Sequence, residues 1–207
     1  MEIVTKIAPI ILALIMLGLG LGLKFEDFTR VFKAPKDFIV GFISQLIILP
    51  IVAYLLIIIL KTPPEIAIGV MIIAAAPGGV TTNVMTKFAN GDVALSISLT
   101  AIISLLSIIT VPLIIFKSAD LFGIDISQNI SILSVAKDMF LIVSVPVILG
   151  MIIRKFAENF VASKVEIFNK LNVVLFIIFF IAAFYEERDS IIDFIMQAGL
   201  IALILNV

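Results

Sequence analysis

The feature that most limits the fold is a run such as "FIVGFISQLIILPIVAYLLIIIL", residues 38–60, apolar for long enough to cross a lipid hydrocarbon core as one helix. Runs of this kind recur along the 207 residues, separated by short charged stretches, and 62% of the chain is hydrophobic against 14% charged. A soluble core cannot hide that much apolar surface, so a polytopic membrane protein in the lipid bilayer is expected. The runs are too long and too uniformly apolar for the alternating strands of an outer-membrane barrel. The expected fold class is therefore all-α, a membrane helix bundle.

Charged stretches place seven segments near 4–23, 38–60, 65–89, 91–116, 131–153, 167–185 and 191–207. The first lacks a small-residue cleavage site and opens a series of similar runs, so it reads as a span rather than a signal peptide. Basic residues orient the series. Lys24, Arg30, Lys33 and Lys36 in the 24–37 loop, Lys87, and Arg154, Lys155, Lys164 and Lys170 in the 154–170 loop fall on one side, nine of the fourteen. Lys6, Lys61, Lys117, Lys137 and Arg188 fall on the other. That split puts the first side in the cytoplasm and the N-terminus outside, in a plasma membrane. Lys137 can snorkel to the headgroups beside Asp138.

Several chemistries are excluded at this level. The net charge of −1 and the lack of a clustered basic face argue against nucleic acid as a partner. Cysteine and histidine are both absent, which removes thiolate chemistry, the usual general base and the commonest metal ligand. No paired acid lies inside a span, and the run Glu186-Glu187-Arg188-Asp189 reads as an extracytoplasmic loop. An enzyme is not expected.

The third segment is irregular. "EIAIGVMIIAAA" is ordinary helix, but Pro77-Gly78-Gly79 ends it before a crossing is complete, and "TTNVMTKFANG" resumes helical spacing up to Asn90-Gly91. Proline has no amide proton and two glycines favour unwinding. Backbone groups freed at such a break are costly in lipid, so the break belongs inside the bundle or against a wet cavity. Thr81, Thr82 and Asn83 bring hydroxyl and amide oxygens, the ligands a hard cation such as sodium takes. The C-terminal end of the first half-helix favours a cation, and the N-terminal end of the second an anion.

The next segment offers a partner. In "GDVALSISLTAIISLLS", Ser96 and Thr100 lie four residues apart on one helical face, and Ser104 and Ser107 extend the stripe. Singly, such hydroxyls often bond back to carbonyls one turn earlier or help helices pack; beside a broken helix they point to a polar seam facing the bundle. Gln45 fits either an interhelical hydrogen bond or a binding site. Asp92 fits a helix N-cap after the Asn90-Gly91 turn. Pro50, Pro112 and Pro146 read as kinks, with a hinge as the second possibility.

These strings resemble the bile acid:sodium symporter family. "LGLGLGLKFEDFTRVFKAPK" is similar to its glycine-rich helix and following loop, "GFISQLIILP" to its glutamine-bearing helix, and "PPEIAIGVMIIAAAPGGVTTNVMTKFANGDVALSISLT" to its most diagnostic region, with a weaker likeness through "VPVILGMIIRK". The resemblance implies two inverted repeats of five helices, arranged as a panel and a core domain, each repeat with one discontinuous helix crossing near the membrane centre. On that pattern residues 1–36 and 118–187 belong to the panel, 37–117 to the core with its broken helix at 65–89, and 188–207 to the start of a second core segment.

It further implies that Thr82, Asn83, Ser96 and Thr100 serve one sodium site, that Gln45 serves a second, and that Thr81 and Asn83 face the substrate. Thr82 stands where serine is expected in many relatives, which keeps the hydroxyl and adds a methyl. By the same pattern the chain starts on the family's second helix and stops inside the eighth, before the crossing helix whose acid and glutamine finish both sodium sites. A truncated product, a partial sequence or a fragment would each look like this. The expected activity is sodium-coupled symport of an organic anion, bile-acid-like or a small carboxylate, by alternating access, with sodium ions as coupling ions. The wider superfamily includes arsenite exporters, a reading the absence of cysteine argues against. The alternative is a non-transporting membrane scaffold or a degenerate half-transporter.

Overall fold

The computed structural model describes residues 2–29, 32, 35–124, 131–186 and 188; the side chains of residues 2–6, 80, 81, 84 and 165 lie outside that description. So do the expected seventh segment at 191–207 and the residues Arg30, Lys33, Glu187 and Asp189. Most of the described residues are helical and none is in a strand, in keeping with the all-α expectation. In chain order they form α1 (Glu2–Gly22), α2 (Phe25–Thr29), α3 (Pro35–Ile43), α4 (Leu49–Ile59), α5 (Pro64–Ala75), α6 (Val80–Phe88), α7 (Val93–Leu121), α8 (Ile132–Met139), α9 (Val145–Phe156) and α10 (Glu158–Glu186). Single π-helical turns at Ser44–Ile48 and Phe140–Ser144 join α3 to α4 and α8 to α9. Among the described residues, four helical stretches are long and apolar enough to cross a membrane: Pro35–Ile59, Val93–Leu121, Ile132–Phe156 and Glu166–Glu186.

Local chemistry explains where the helices stop. The α4 and α7 helices and the α6 half-helix end alike, on a residue with positive φ at Lys61 (50°), Gly123 (74°) and Asn90 (54°). In each case the next amide reaches back to close the last turn: Thr62 to the Ile57 carbonyl (3.0 Å), Ile124 to that of Ala119 (2.9 Å) and Gly91 to that of Thr86 (2.9 Å). The expected Asn90-Gly91 turn is this closure. Asp92 then caps α7, one carboxylate oxygen accepting from the amides of Ala94 and Leu95 at 3.0 Å each. Asp92→Ala should lower stability by about 1 kcal/mol and Asp92→Asn by much less, read from unfolding midpoints in detergent; equal midpoints for the two variants would show that the cap contributes nothing.

Two expected loops are shorter than the charge pattern suggested. The 154–170 stretch is helical apart from Ala157, because α9 runs to Phe156 and α10 begins at Glu158. An acidic residue in the first turn suits the positive end of a helix, and Lys170 pairs with Glu166 one turn away at 3.4 Å. The charged residues of this stretch are thus carried on two helices rather than on a loop. Likewise α7 continues past the expected end at 116 to Leu121, with Pro112 inside it.

The chain divides into two compact units. One joins the described residues up to Phe25 with those from Lys137 onward. Here α1 packs on α9 and α10, with Gly20 against the Val147 carbonyl and Gly150 against the Leu17 carbonyl, contacts that leave no room for a Cβ. Arg154 Nη1 donates to the Leu21 carbonyl at 2.6 Å, satisfying one of the terminal acceptors of α1. Lys24 pairs with Glu158 at 3.1 Å.

The second unit comprises the described residues between Glu26 and Ala136. Its core is built where α4 meets α5: Ala53 and Ile57 pack against Ile66, Ala67, Val70, Met71 and Ala74. The α5 helix also packs on α7, and α6 and α3 rest against α7 in turn. This unit carries the broken helix.

Candidate functional site

The break lies at Ala76–Gly79, between α5 and α6. Ala76 is extended (φ −66°, ψ 138°), the conformation that a following proline imposes, and Gly79 is extended again (φ −130°, ψ −169°) as the residue before α6. Pro77 therefore stops the first half-helix, and the two glycines carry the chain across before Val80 restarts it. Terminal carbonyls of α5 and terminal amides of α6 are left without helical partners at the two sides of the gap, negative and positive helix ends respectively.

Beside the break is a cavity of about 400 Å³. Four of the residues singled out from the sequence line it: Gln45, Thr82, Ser96 and Thr100. A fifth, Asn83, is tied to it because Ser96 Oγ donates to Asn83 Oδ1 at 2.7 Å, linking α6 to α7. For Thr81 only the backbone, in the first turn of α6, is described; the side chain lies outside the described residues.

The hydrogen-bond directions matter for what the cavity can hold. Thr82 Oγ1 donates its proton to the Gly79 carbonyl at 2.6 Å, and Thr86 Oγ1 donates to the Thr82 carbonyl at 2.8 Å. Ser96 spends its proton on Asn83. Hydroxyls that have given away their protons keep their lone pairs, so toward a ligand they act as acceptors, the role a cation requires. Thr100 is only 6% exposed and borders the cavity. Among the described residues, no cluster of three or more acidic, histidine or cysteine side chains is placed to hold a metal ion. Among the described residues that line the cavity, Asp92 carries a charge and the other polar side chains are neutral.

Sequence reasoning missed part of the wall. Gly78, Thr86, Leu95 and Leu99 also line the cavity, and Asp92 does so in addition to capping α7. Thr86 had a legible signal, since it follows Thr82 by four residues on one helix. Gly78 had one in the Pro-Gly-Gly string, but the string explained only the break. A Cβ on Gly78 would lie 3.0 Å from Thr82 Oγ1 and 3.3 Å from Thr100 Oγ1, so the two hydroxyls converge over the bare glycine.

The polar seam of α7 proves to be of two kinds. Thr100, Ser104 and Ser107 are buried, as the spacing implied. Below the cavity, however, Ser107 Oγ returns to the Ser104 carbonyl at 2.7 Å, and fully buried Ser98, off the stripe, returns to that of Ala94 at 2.8 Å. These hydroxyls satisfy themselves within the helix. Only the upper end of the seam, at Ser96 and Thr100, opens on the cavity.

The chain is 32% identical over 198 residues to an uncharacterized sodium-dependent transporter of Bacillus subtilis (strain 168), YocS, an alignment covering 96% of this chain and 59% of that protein. It is 32% identical over 111 residues to the human ileal sodium/bile acid cotransporter, covering 54% of this chain and 32% of the other. A sodium-dependent organic anion transporter of Bos taurus is 30% identical over 128 residues, 62% of this chain and 33% of its own length. The chain thus spans less than two thirds of the length of these relatives. All three relatives are named as transporters. The model of the sodium bile acid symporter family matches residues 9–194, a span that holds the broken helix and the residues that line the cavity, and the chain belongs to that family.

Proposed function

We propose that the protein is a sodium-coupled symporter of an organic anion, working by alternating access. The observation that carries this reading is the convergence of Gln45, Thr82, Ser96 and Thr100 on one cavity beside a broken helix, with Asn83 joined through Ser96. Sodium is taken by these oxygens and by carbonyls freed at the break, where the negative end of α5 favours it. Thr81 and Asn83, at the start of α6, serve the anion, where the positive helix end favours its charge.

The two compact units support an assignment of α1, α9 and α10 to a panel and of α3 to α7 to a core. Alternating access is then movement of the core relative to the panel. Sodium binding draws α6 and α7 together, and an anion that prefers the tightened form gains affinity; by linkage the anion raises sodium affinity equally. The bile acid and organic anion in the names of two relatives make a bile acid conjugate and a small carboxylate the first substrates to try. The positive-inside pattern places the N-terminus outside.

The test uses sodium itself as probe. Melting of the detergent-solubilised protein should rise with sodium chloride and not with equimolar potassium chloride, because only a ligand of the folded state stabilises in this way. In proteoliposomes, uptake of a bile acid conjugate or a small carboxylate should require an inward sodium gradient. The double variant Asn83→Ala, Thr100→Ala removes two ligands, each of the order of a charge-assisted hydrogen bond worth roughly 1.5–3 kcal/mol, and should raise the half-saturating sodium concentration by more than about tenfold. Identical melting in sodium and potassium would instead leave a membrane scaffold as the better description.

A further inference from the structure

We propose that Pro50 is a positioning residue for the cation site: it holds the π-helical turn at Ser44–Ile48, and that turn aims Gln45 into the cavity. The proposal rests on the reading above in taking Gln45 as a sodium ligand.

The stretch Pro35–Ile59 is one continuous helical path whose two ends are keyed to different neighbours. Its second half, α4, is fixed by Ala53 and Ile57 in the core against α5. Its first half, α3, approaches α7 through Gly41, where a Cβ would meet Leu99 Cδ1 at 2.6 Å. A regular α-helix turns about 100° per residue, so one face relation between the two halves is allowed. The π turn adds one residue to one turn and changes that relation by about the same angle. Leu49 N–H reaches the Ser44 carbonyl five residues back, and the flanking residues keep ordinary helical angles, Ile43 at φ −64°, ψ −41° and Leu49 at φ −61°, ψ −47°. Both packing faces are met only with the turn in place.

Pro50 explains why the wide turn sits there. It is buried, has no amide proton, and in an α-helix its ring would press on the Leu46 carbonyl. Widening the preceding turn relieves that contact. The other unit repeats the arrangement independently: the π turn Phe140–Ser144 has Pro146 six residues after its first member, as Pro50 follows Ser44, and Val145 N–H reaches the Phe140 carbonyl. Gln45 is the second residue of the first π turn and lines the cavity with Thr82, Ser96 and Thr100. With proline replaced, the turn can anneal to α-helix; α4 stays with α5, and Gln45 swings away from the cavity by about 100°.

The natural chain has no cysteine, which allows a direct test of orientation. Gln45→Cys, carried in the Pro50 and Pro50→Ala backgrounds, is reacted with a small water-soluble maleimide. The expected result is labelling at least about fivefold slower in the Pro50→Ala background, with Pro146→Ala as a control that leaves the rate unchanged. In parallel, Pro50→Ala with Gln45 intact should displace the sodium dependence of melting to about tenfold higher sodium with its slope against log sodium unchanged, whereas general loss of packing lowers melting in sodium and potassium alike. If Pro50→Ala does not fold, Pro50→Ser restores the same amide and replaces it. Equal labelling rates in the two backgrounds overturn the proposal. If labelling slows but Gln45→Ala leaves sodium affinity unchanged, the sodium role of Gln45 fails while the aiming by Pro50 stands.

Discussion

Gly78→Val is expected to abolish the sodium-specific rise in melting temperature while the protein still folds. The glycine lies in the gap between the two half-helices, where Thr82 Oγ1 and Thr100 Oγ1 approach within 3.0 and 3.3 Å of the point a Cβ would occupy. A sodium ion coordinated by both hydroxyls needs that space. Alanine already pushes on each oxygen, and valine adds two methyls to the volume the ion would fill. Gly78 is not held at a positive φ, so the cost of the substitution is steric rather than conformational. Half-saturating sodium should rise about tenfold or more in Gly78→Ala and be unmeasurable in Gly78→Val, with melting in potassium close to that of the natural chain. A valine variant that keeps its preference for sodium over potassium would remove Thr82 and Thr100 as joint ligands.

The second large effect is on stability. Gly150 is buried where α9 crosses α1, and its Cβ would collide with the Leu17 carbonyl, lie 2.7 Å from the Leu21 amide nitrogen and 2.8 Å from the Gly20 carbonyl carbon. All three are backbone atoms that cannot swing aside as a side chain can. Gly20 faces the Val147 carbonyl just as closely from the other helix, so the pair forms the small-residue contact by which membrane helices approach. Gly150→Val should part α1 from α9 and break the hydrogen bond of Arg154 to the Leu21 carbonyl. Overpacking of this kind costs about 1–3 kcal/mol, at times more. Loss of the monodisperse peak in detergent, or a melting midpoint many degrees lower, is the expected outcome. Gly22 is the matched control, since a Cβ there meets nothing within 4 Å; equal behaviour of Gly22→Ala and Gly150→Val would refute the close crossing.

Much of the site was legible because its signals are local. Pro77 dictates an extended Ala76, two glycines cannot hold a helix, and four-residue spacing puts Ser96 and Thr100 on one face whatever surrounds them. Asp92 after Asn90-Gly91 is a cap by the same local logic. What spacing left undecided was which hydroxyls are spent within the helix. Ser107 and Thr100 look alike in one dimension, yet one donates to a carbonyl a turn earlier and the other borders open space. The proline at position 50 read as a kink; the structure adds a π-helical turn at Ser44–Ile48 just before it, which spacing alone did not reveal.

By itself the sequence determined the chemistry and the punctuation: a membrane-spanning helical chain, broken at Pro77-Gly78-Gly79, with neutral oxygens rather than acids, imidazoles or thiols at the break. Runs of apolar residues, prolines and glycines act on the few residues around them, so their consequences can be read without knowing the fold. The tertiary structure alone decided convergence. Gln45 is more than thirty residues from Thr82, and Gly78 more than twenty from Thr100; they share one cavity because α3, α6 and α7 pack together. Packing of helix faces, which depends on every contact along their length, brings these residues to the wall of one cavity.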